Sequence, residues 1–327
     1  MQYLTPRALR SALWFTLAIA FLPFTTACAT SAHRSQSPVM QLELQSTDEA
    51  VGLRHYHGAG ERVLVVGNPG ISPLLFDIPG YGGLAPYLQN AGYDVWVLDW
   101  KDLAKKSGLA DLSRWAGHAI RHVGRDEGVT VVAHGLGGVA VVMSEAADHV
   151  NRYVFLATPG NLGKPLEPVA ALHEHEWTQA HTLSDVRPAL ADHSTGNVLE
   201  ALLWNFGTLP VDAEKLTRLF TPVGPALLNE LAVAVGRGGW GKGFEGNLAD
   251  IGVPVTVLVG QTDAVAPPWQ SYAVYENVGT ETRFYRFFSR ALGERREYGH
   301  LSMIVGDDAV REVYPFILRG VQLEAGD

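Results

Sequence analysis

The stretch Val129–Gly138 constrains this chain more than any other. It reads Val-Thr-Val-Val-Ala-His-Gly-Leu-Gly-Gly. Val129, Thr130, Val131 and Val132 are a β-branched run that favours a strand. Small residues follow it and pass directly into the apolar, helix-compatible Val139–Ala147. The pattern is strand, sharp turn, helix. Ala133 and Gly137 stand two residues either side of Gly135, so the tightest part of the turn carries almost no side-chain bulk.

The 327 residues are 47% hydrophobic and 18% charged, enough apolar material for one large core or two modest ones. A formal net charge of −9 excludes nucleic acid as the expected partner, because phosphate contacts need clustered Lys and Arg. The N-terminus has its own logic. Arg7 and Arg10 precede the apolar run Ala12–Phe24, and Thr25, Thr26 and Ala27 come before Cys28. Those are the three regions of a secretory signal, and the run is short for a membrane span. Cys28 is the single cysteine, so no intramolecular disulfide forms and no thiol is left in the globular body. A lone cysteine after Thr-Thr-Ala resembles the lipobox of bacterial lipoproteins. That resemblance implies a lipidated Cys28 as the mature N-terminus, anchored in the cell envelope. Ala29 then implies the outer membrane. The alternative is an ordinary cleaved signal and a soluble secreted or periplasmic protein. Residues 1–27 read as signal and 28–40 as a flexible tether.

Beyond the tether, Gln41–Thr47 and Val51–His57 alternate apolar and polar residues, predicting an antiparallel hairpin. Arg62–Val66 reads as a strand that ends in the loop Gly67-Asn68-Pro69-Gly70. Leu84–Ala91 is a predicted helix, Tyr93–Asp99 a strand and Asp111–Val123 an amphipathic helix. The strand at 129 and its helix come next, then the strand Asn151–Leu156. Strands alternating with helices predict a doubly wound, mostly parallel α/β sheet. Residues 160–249 break the rhythm with helical stretches at Asn197–Phe206, Ala213–Phe220 and Pro225–Val235 and the glycine-rich Gly236–Gly246. They read as a lid inserted into a core made of 41–159 and 250–327. The rhythm resumes with strands Val253–Val259 and Thr282–Phe288 and a closing helix Asp307–Leu318.

These phrases together resemble the α/β-hydrolase superfamily, with the flavour of lipases and class III polyhydroxyalkanoate synthases. The resemblance rests on Val-Leu-Val-Val-Gly-Asn-Pro-Gly (63–70), Leu-Phe-Asp-Ile-Pro-Gly (75–80), Ala-Gly-Tyr-Asp-Val-Trp-Val-Leu-Asp (91–99) and Ala-Thr-Pro-Gly (157–160). It covers residues 41 to about 320. In that superfamily the turn at 133–137 carries the nucleophile elbow, Gly-x-Ser-x-Gly. Here Gly135 holds the serine's place. The resemblance implies that Asp263, in Thr-Asp-Ala-Val-Ala-Pro-Pro, is the acid, and that His300, in Tyr-Gly-His-Leu-Ser, is the base. The oxyanion donors would be the Leu136 backbone N–H and a group at Asn68 or nearby. Relatives often have His-Gly where this chain has Gly67-Asn68.

The absent serine decides the functional reading. Loss of the nucleophile costs a serine hydrolase on the order of a millionfold in turnover, and Cys28 lies outside the fold. The sequence therefore predicts a pseudoenzyme that holds an apolar or acyl molecule, or a protein partner, without turnover. Its alternatives are an enzyme whose Asp263–His300 dyad activates water, and a scaffold subunit of an envelope complex. His134 reads as a structural neighbour of the turn. His173-Glu174-His175-Glu176, with His181 and His193, reads as a solvated lid segment, since alternate residues on a helix point apart. No metal and no cofactor is expected. Trp177, Trp204 and Trp240 read as lid packing.

Overall fold

The computed structural model describes residues 40–46, 49–78, 82–100, 103, 107–162 and 219–326. The signal segment, Cys28, the helix at 197–206, the histidines at 173–193, Trp177 and Trp204 lie outside them.

Strands form where the apolar and β-branched residues run together. β1 (Met40–Ser46) and β2 (Glu49–Tyr56) pair as the antiparallel hairpin, and β2 lies antiparallel to β4 (Asp94–Asp99) with Tyr56 opposite Val95. The remaining strands are parallel to β4: β3 (Arg62–Val66), β5 (Val129–His134), β6 (Val150–Leu156), β7 (Val255–Gly260) and β8 (Arg283–Phe288). The order across the sheet is β1-β2-β4-β3-β5-β6-β7-β8, which puts β5 between β3 and β6. Every residue of β5 is buried. A strand covered on both faces has no solvent side, which is why its sequence does not alternate.

The cover is helical on both faces. Val131 and Ala133 point into a core built with Leu112, Trp115 and Ile120 of α2 (Leu109–Gly124). The same core takes Leu227 of α4 (Pro225–Arg237) and Phe244 and Leu248 of α5 (Lys242–Ala249). Val132 points the other way, into a core with Leu84 and Leu88 of α1 (Leu84–Asn90) and Ile317 and Val321 of α8 (Tyr314–Val321). Three consecutive β5 residues thus seed two cores. The other helices are α3 (Leu136–Val142), α6 (Pro268–Asn277) and α7 (Asp307–Glu312).

Three departures from the sequence reading have local causes. The closing helix is two helices, α7 and α8, because Pro315 has no N–H to give and its ring crowds the carbonyl four residues back. The helix after the turn stops at Val142 instead of running to Ala147. Ser144 there directs both its backbone N–H (3.1 Å) and its hydroxyl (2.7 Å) to the Val141 carbonyl. Phe220 closes an isolated bridge with Ile71 rather than ending a helix.

Candidate active site

Gly135 joins β5 to α3 at φ 57°, ψ −128°. Its N–H donates to Leu156 O at 2.9 Å, and its carbonyl accepts from Gly138 N at 3.1 Å. A positive φ with this ψ suits glycine and strains any residue with a Cβ. The next two glycines serve a different need. A Cβ on Gly137 would lie 2.5 Å from the Gly67 carbonyl oxygen, and one on Gly138 would lie 2.1 Å from Thr158 Oγ1. Their bareness lets α3 start hard against the loops that follow β3 and β6.

Asp263 and His300, the expected acid and base, arrive on neighbouring loops. Asp263 follows β7, and its Oδ1 accepts from Val265 N and Ala266 N, each at 2.8 Å. Its Oδ2 accepts from His300 Nδ1 at 2.9 Å, and neither side chain is exposed. The two loops are tied together because the Tyr298 carbonyl accepts from Thr262 N (2.9 Å) and Thr262 Oγ1 (3.0 Å). With its proton on Nδ1, His300 keeps a lone pair on Nε2, which is buried and has no hydrogen-bond partner. That atom lies 3.0 Å from where a Cβ on Gly135 would be.

A second imidazole backs the first. His134 Nε2 donates to the His300 carbonyl at 3.2 Å, and the ring centroids are 4.3 Å apart. Burial, with the neighbouring His300, holds the His134 pKa well below the usual histidine range. A neutral ring supports the loop without adding charge beside His300.

Asn68 brings an arrangement that sequence reasoning missed. The loop after β3 is fixed by Trp100 Nε1 donating to Gly67 O (2.8 Å) and Ile71 N donating to Asn68 O (3.1 Å). From that loop the Asn68 side chain reaches across, and its Oδ1 accepts from Leu136 N at 2.8 Å. So Asn68 meets Leu136 as a side-chain acceptor, and the amide named as an oxyanion donor already has a partner. The reason is steric. Asn68 Oδ1 lies 2.7 Å from the Cβ position of Gly135, space that a side chain there would claim. The unusual Gly67-Asn68 and the glycine at 135 are two halves of one arrangement.

In chemical terms, the pair Asp263–His300 can accept a proton at Nε2, while Gly135 offers no atom for attack. Trp240 lies apart from this chemistry, its indole donating to Pro159 O at 2.7 Å.

Comparison with solved structures places the architecture. An esterase from Thermogutta terrifontis superposes with a TM-score of 0.58 at 16% identity, covering 86% of this chain and 99% of that one. A bromoperoxidase from Bacillus anthracis gives 0.59 at 14%, covering 86% and 100%. A monoacylglycerol lipase from Paleococcus ferrophilus gives 0.55 at 16%, covering 83% and 99%. The chain has the α/β-hydrolase fold. No protein-family model matches it, and no curated protein does. Within the α/β-hydrolase fold the antiparallel β1-β2 edge and the parallel sheet from β4 to β8 bring Asn68, Gly135, Asp263 and His300 to the C-terminal side of the sheet, where open α/β sheets bind ligands.

Proposed function

We propose that this α/β-hydrolase-fold chain is a pseudoenzyme that binds an apolar or acyl ligand, or a protein partner, without turning it over. One observation carries the reading. At the elbow stands Gly135, whose Cβ space is bordered by Asn68 Oδ1 and His300 Nε2. The group that would attack a carbonyl is missing, and the N–H of Leu136 that would receive its oxygen is engaged by Asn68. The test is hydrolysis of short- and medium-chain aryl esters by the full-length protein in detergent, beside His300→Ala. Equal background rates in the two proteins are the expected result. Turnover that vanishes in His300→Ala would overturn the reading.

That outcome would establish a second reading, in which the dyad activates water directly. The unpartnered, buried Nε2 of His300 supports it, since a base without a hydroxyl to deprotonate can take a water proton.

We further propose that Cys28 carries a lipid that anchors the protein at the envelope, as its place after Thr-Thr-Ala suggests. Metabolic labelling with a fatty acid should mark the wild type and not Cys28→Ser; an unlabelled wild type would remove the anchor and leave a soluble protein.

A further inference from the structure

The strands β3 to β8 bring the elbow and the dyad to their C-terminal ends. Asp94, by contrast, is the first residue of β4, and His55 lies near the end of antiparallel β2, opposite Trp96 in the ladder. These residues meet at the opposite end of the sheet, between the inner strands β2 and β4, and nothing in the elbow chemistry uses them. We propose that His55, His57 and Asp94 bind a late first-row divalent cation such as Zn²⁺ through three protein ligands, with the remaining coordination open to solvent.

The geometry comes first. His55 Nε2 stands 2.7 Å from Asp94 Oδ1, and His57 Nδ1 stands 3.6 Å from the same oxygen. All three candidate ligand atoms lie within 4.8 Å of one another. A tetrahedral ion with bonds of about 2.0–2.1 Å spaces its ligands by about 3.3 Å, between the two separations seen here. Small side-chain rotations admit the ion.

The surroundings hold these groups in place. Asp94 Oδ1 also accepts from Gly58 N at 3.0 Å, and its Oδ2 accepts from Trp96 Nε1 at 3.0 Å. The Trp96 ring stacks on the His55 ring with centroids 3.7 Å apart. A carboxylate and an imidazole oriented by such partners are the usual supports of a metal ligand. His57 is the informative member. Its ring is 73% exposed, yet its backbone is fixed on both sides. Its carbonyl accepts from Gln89 Nε2 at 2.8 Å, while the following N–H is the one on Asp94. That return is so tight that a Cβ on Gly58 would lie 2.1 Å from the Tyr93 carbonyl oxygen. The chain thus holds an exposed imidazole beside a part-buried imidazole–carboxylate pair.

The donor set selects the ion. Two imidazoles and one carboxylate suit zinc and its neighbours, whereas calcium and magnesium ask for all-oxygen shells. On binding, the ring proton of His55 moves from Nε2 to Nδ1 by exchange with solvent, which frees the Nε2 lone pair for the metal and leaves the imidazole neutral.

The test is calorimetric titration of chelator-stripped, full-length protein with Zn²⁺ alone. His57→Ala is the informative variant, since an exposed ring can be removed without disturbing the core. One equivalent of Zn²⁺ should bind the wild type, and His57→Ala should weaken it by about 100-fold or more, at or beyond the loss seen when even a supporting group is removed. Zn²⁺ should also raise the melting temperature of the wild type and leave that of His57→Ala unmoved. His173→Ala/His175→Ala should titrate like the wild type. The site is refuted if the wild type takes up no equivalent, if His57→Ala binds like the wild type, or if the change at His173 and His175 removes the binding.

Discussion

Asn68, Gly135 and His300 share one small volume, and each limits what the others can be. A Cβ on Gly135 would add backbone strain of about 1–3 kcal/mol and would meet Asn68 Oδ1 at 2.7 Å. Gly135→Ala should therefore lower the unfolding free energy by at least about 1 kcal/mol in urea titrations. On the pseudoenzyme reading, Gly135→Ser alone should show no turnover of activated aryl esters, because the Asn68 side chain crowds the new residue and competes for the Leu136 N–H. Gly135→Ser with Asn68→Gly should gain measurable turnover; equal turnover from the single change would mean that Asn68 is no obstacle. His134 gives a prediction in pH. Its folded pKa is held well below the usual value near 6.5, so the unfolded chain binds the proton more readily. The neutral ring's stability is whole above about pH 6.5 and is lost as pH falls from there toward the folded pKa, by at most about 1.4 kcal/mol per pH unit. His134→Gln should flatten that part of the stability profile, read by chemical denaturation at stepped pH.

Among the elements, α3 shows how few atoms set a position. Gly137 faces the Gly67 carbonyl so closely that a methyl group has nowhere to go but backbone. Gly137→Ala should displace α3 from the loop after β3 and cost about 1–3 kcal/mol or more, measured as a fall in the urea midpoint. The small residues of this turn were plain in the sequence, as were most strands, because a buried parallel strand leaves an uninterrupted apolar run. Asp263 and His300 were also legible, each following a recognisable strand. The helix α5 was not: Lys-Gly-Phe-Glu-Gly-Asn-Leu-Ala carries two glycines and poor helix propensity. Its helicity comes from burying Phe244 and Leu248 against the core, which no local pattern states. The Asn68–Leu136 bond spans 68 positions in the chain. The His55–His57–Asp94 group is likewise assembled by long-range contacts, the β2–β4 pairing for His55 and Asp94 and the Gln89 and Gly58 bonds for His57.

Taken whole, the described molecule is one sheet with a core on each face, and β5 feeds both. Damage to either core should therefore weaken the same sheet. Phe244→Ala on one face should cost about 3–5 kcal/mol and Ile317→Ala on the other about 2–5 kcal/mol. Tryptophan fluorescence and far-UV circular dichroism should report coincident midpoints in both variants. Separate transitions would mean that the two faces unfold independently. The carboxamide of Asn68 also bears on descent. Starting from this chain, a lineage gaining serine at 135 would meet a position already occupied, and one losing Asn68 first would gain no nucleophile. If the chain is the pseudoenzyme proposed above, neither step helps without the other, and the contact acts as a ratchet: selection for ester cleavage then has no single-mutation slope to climb.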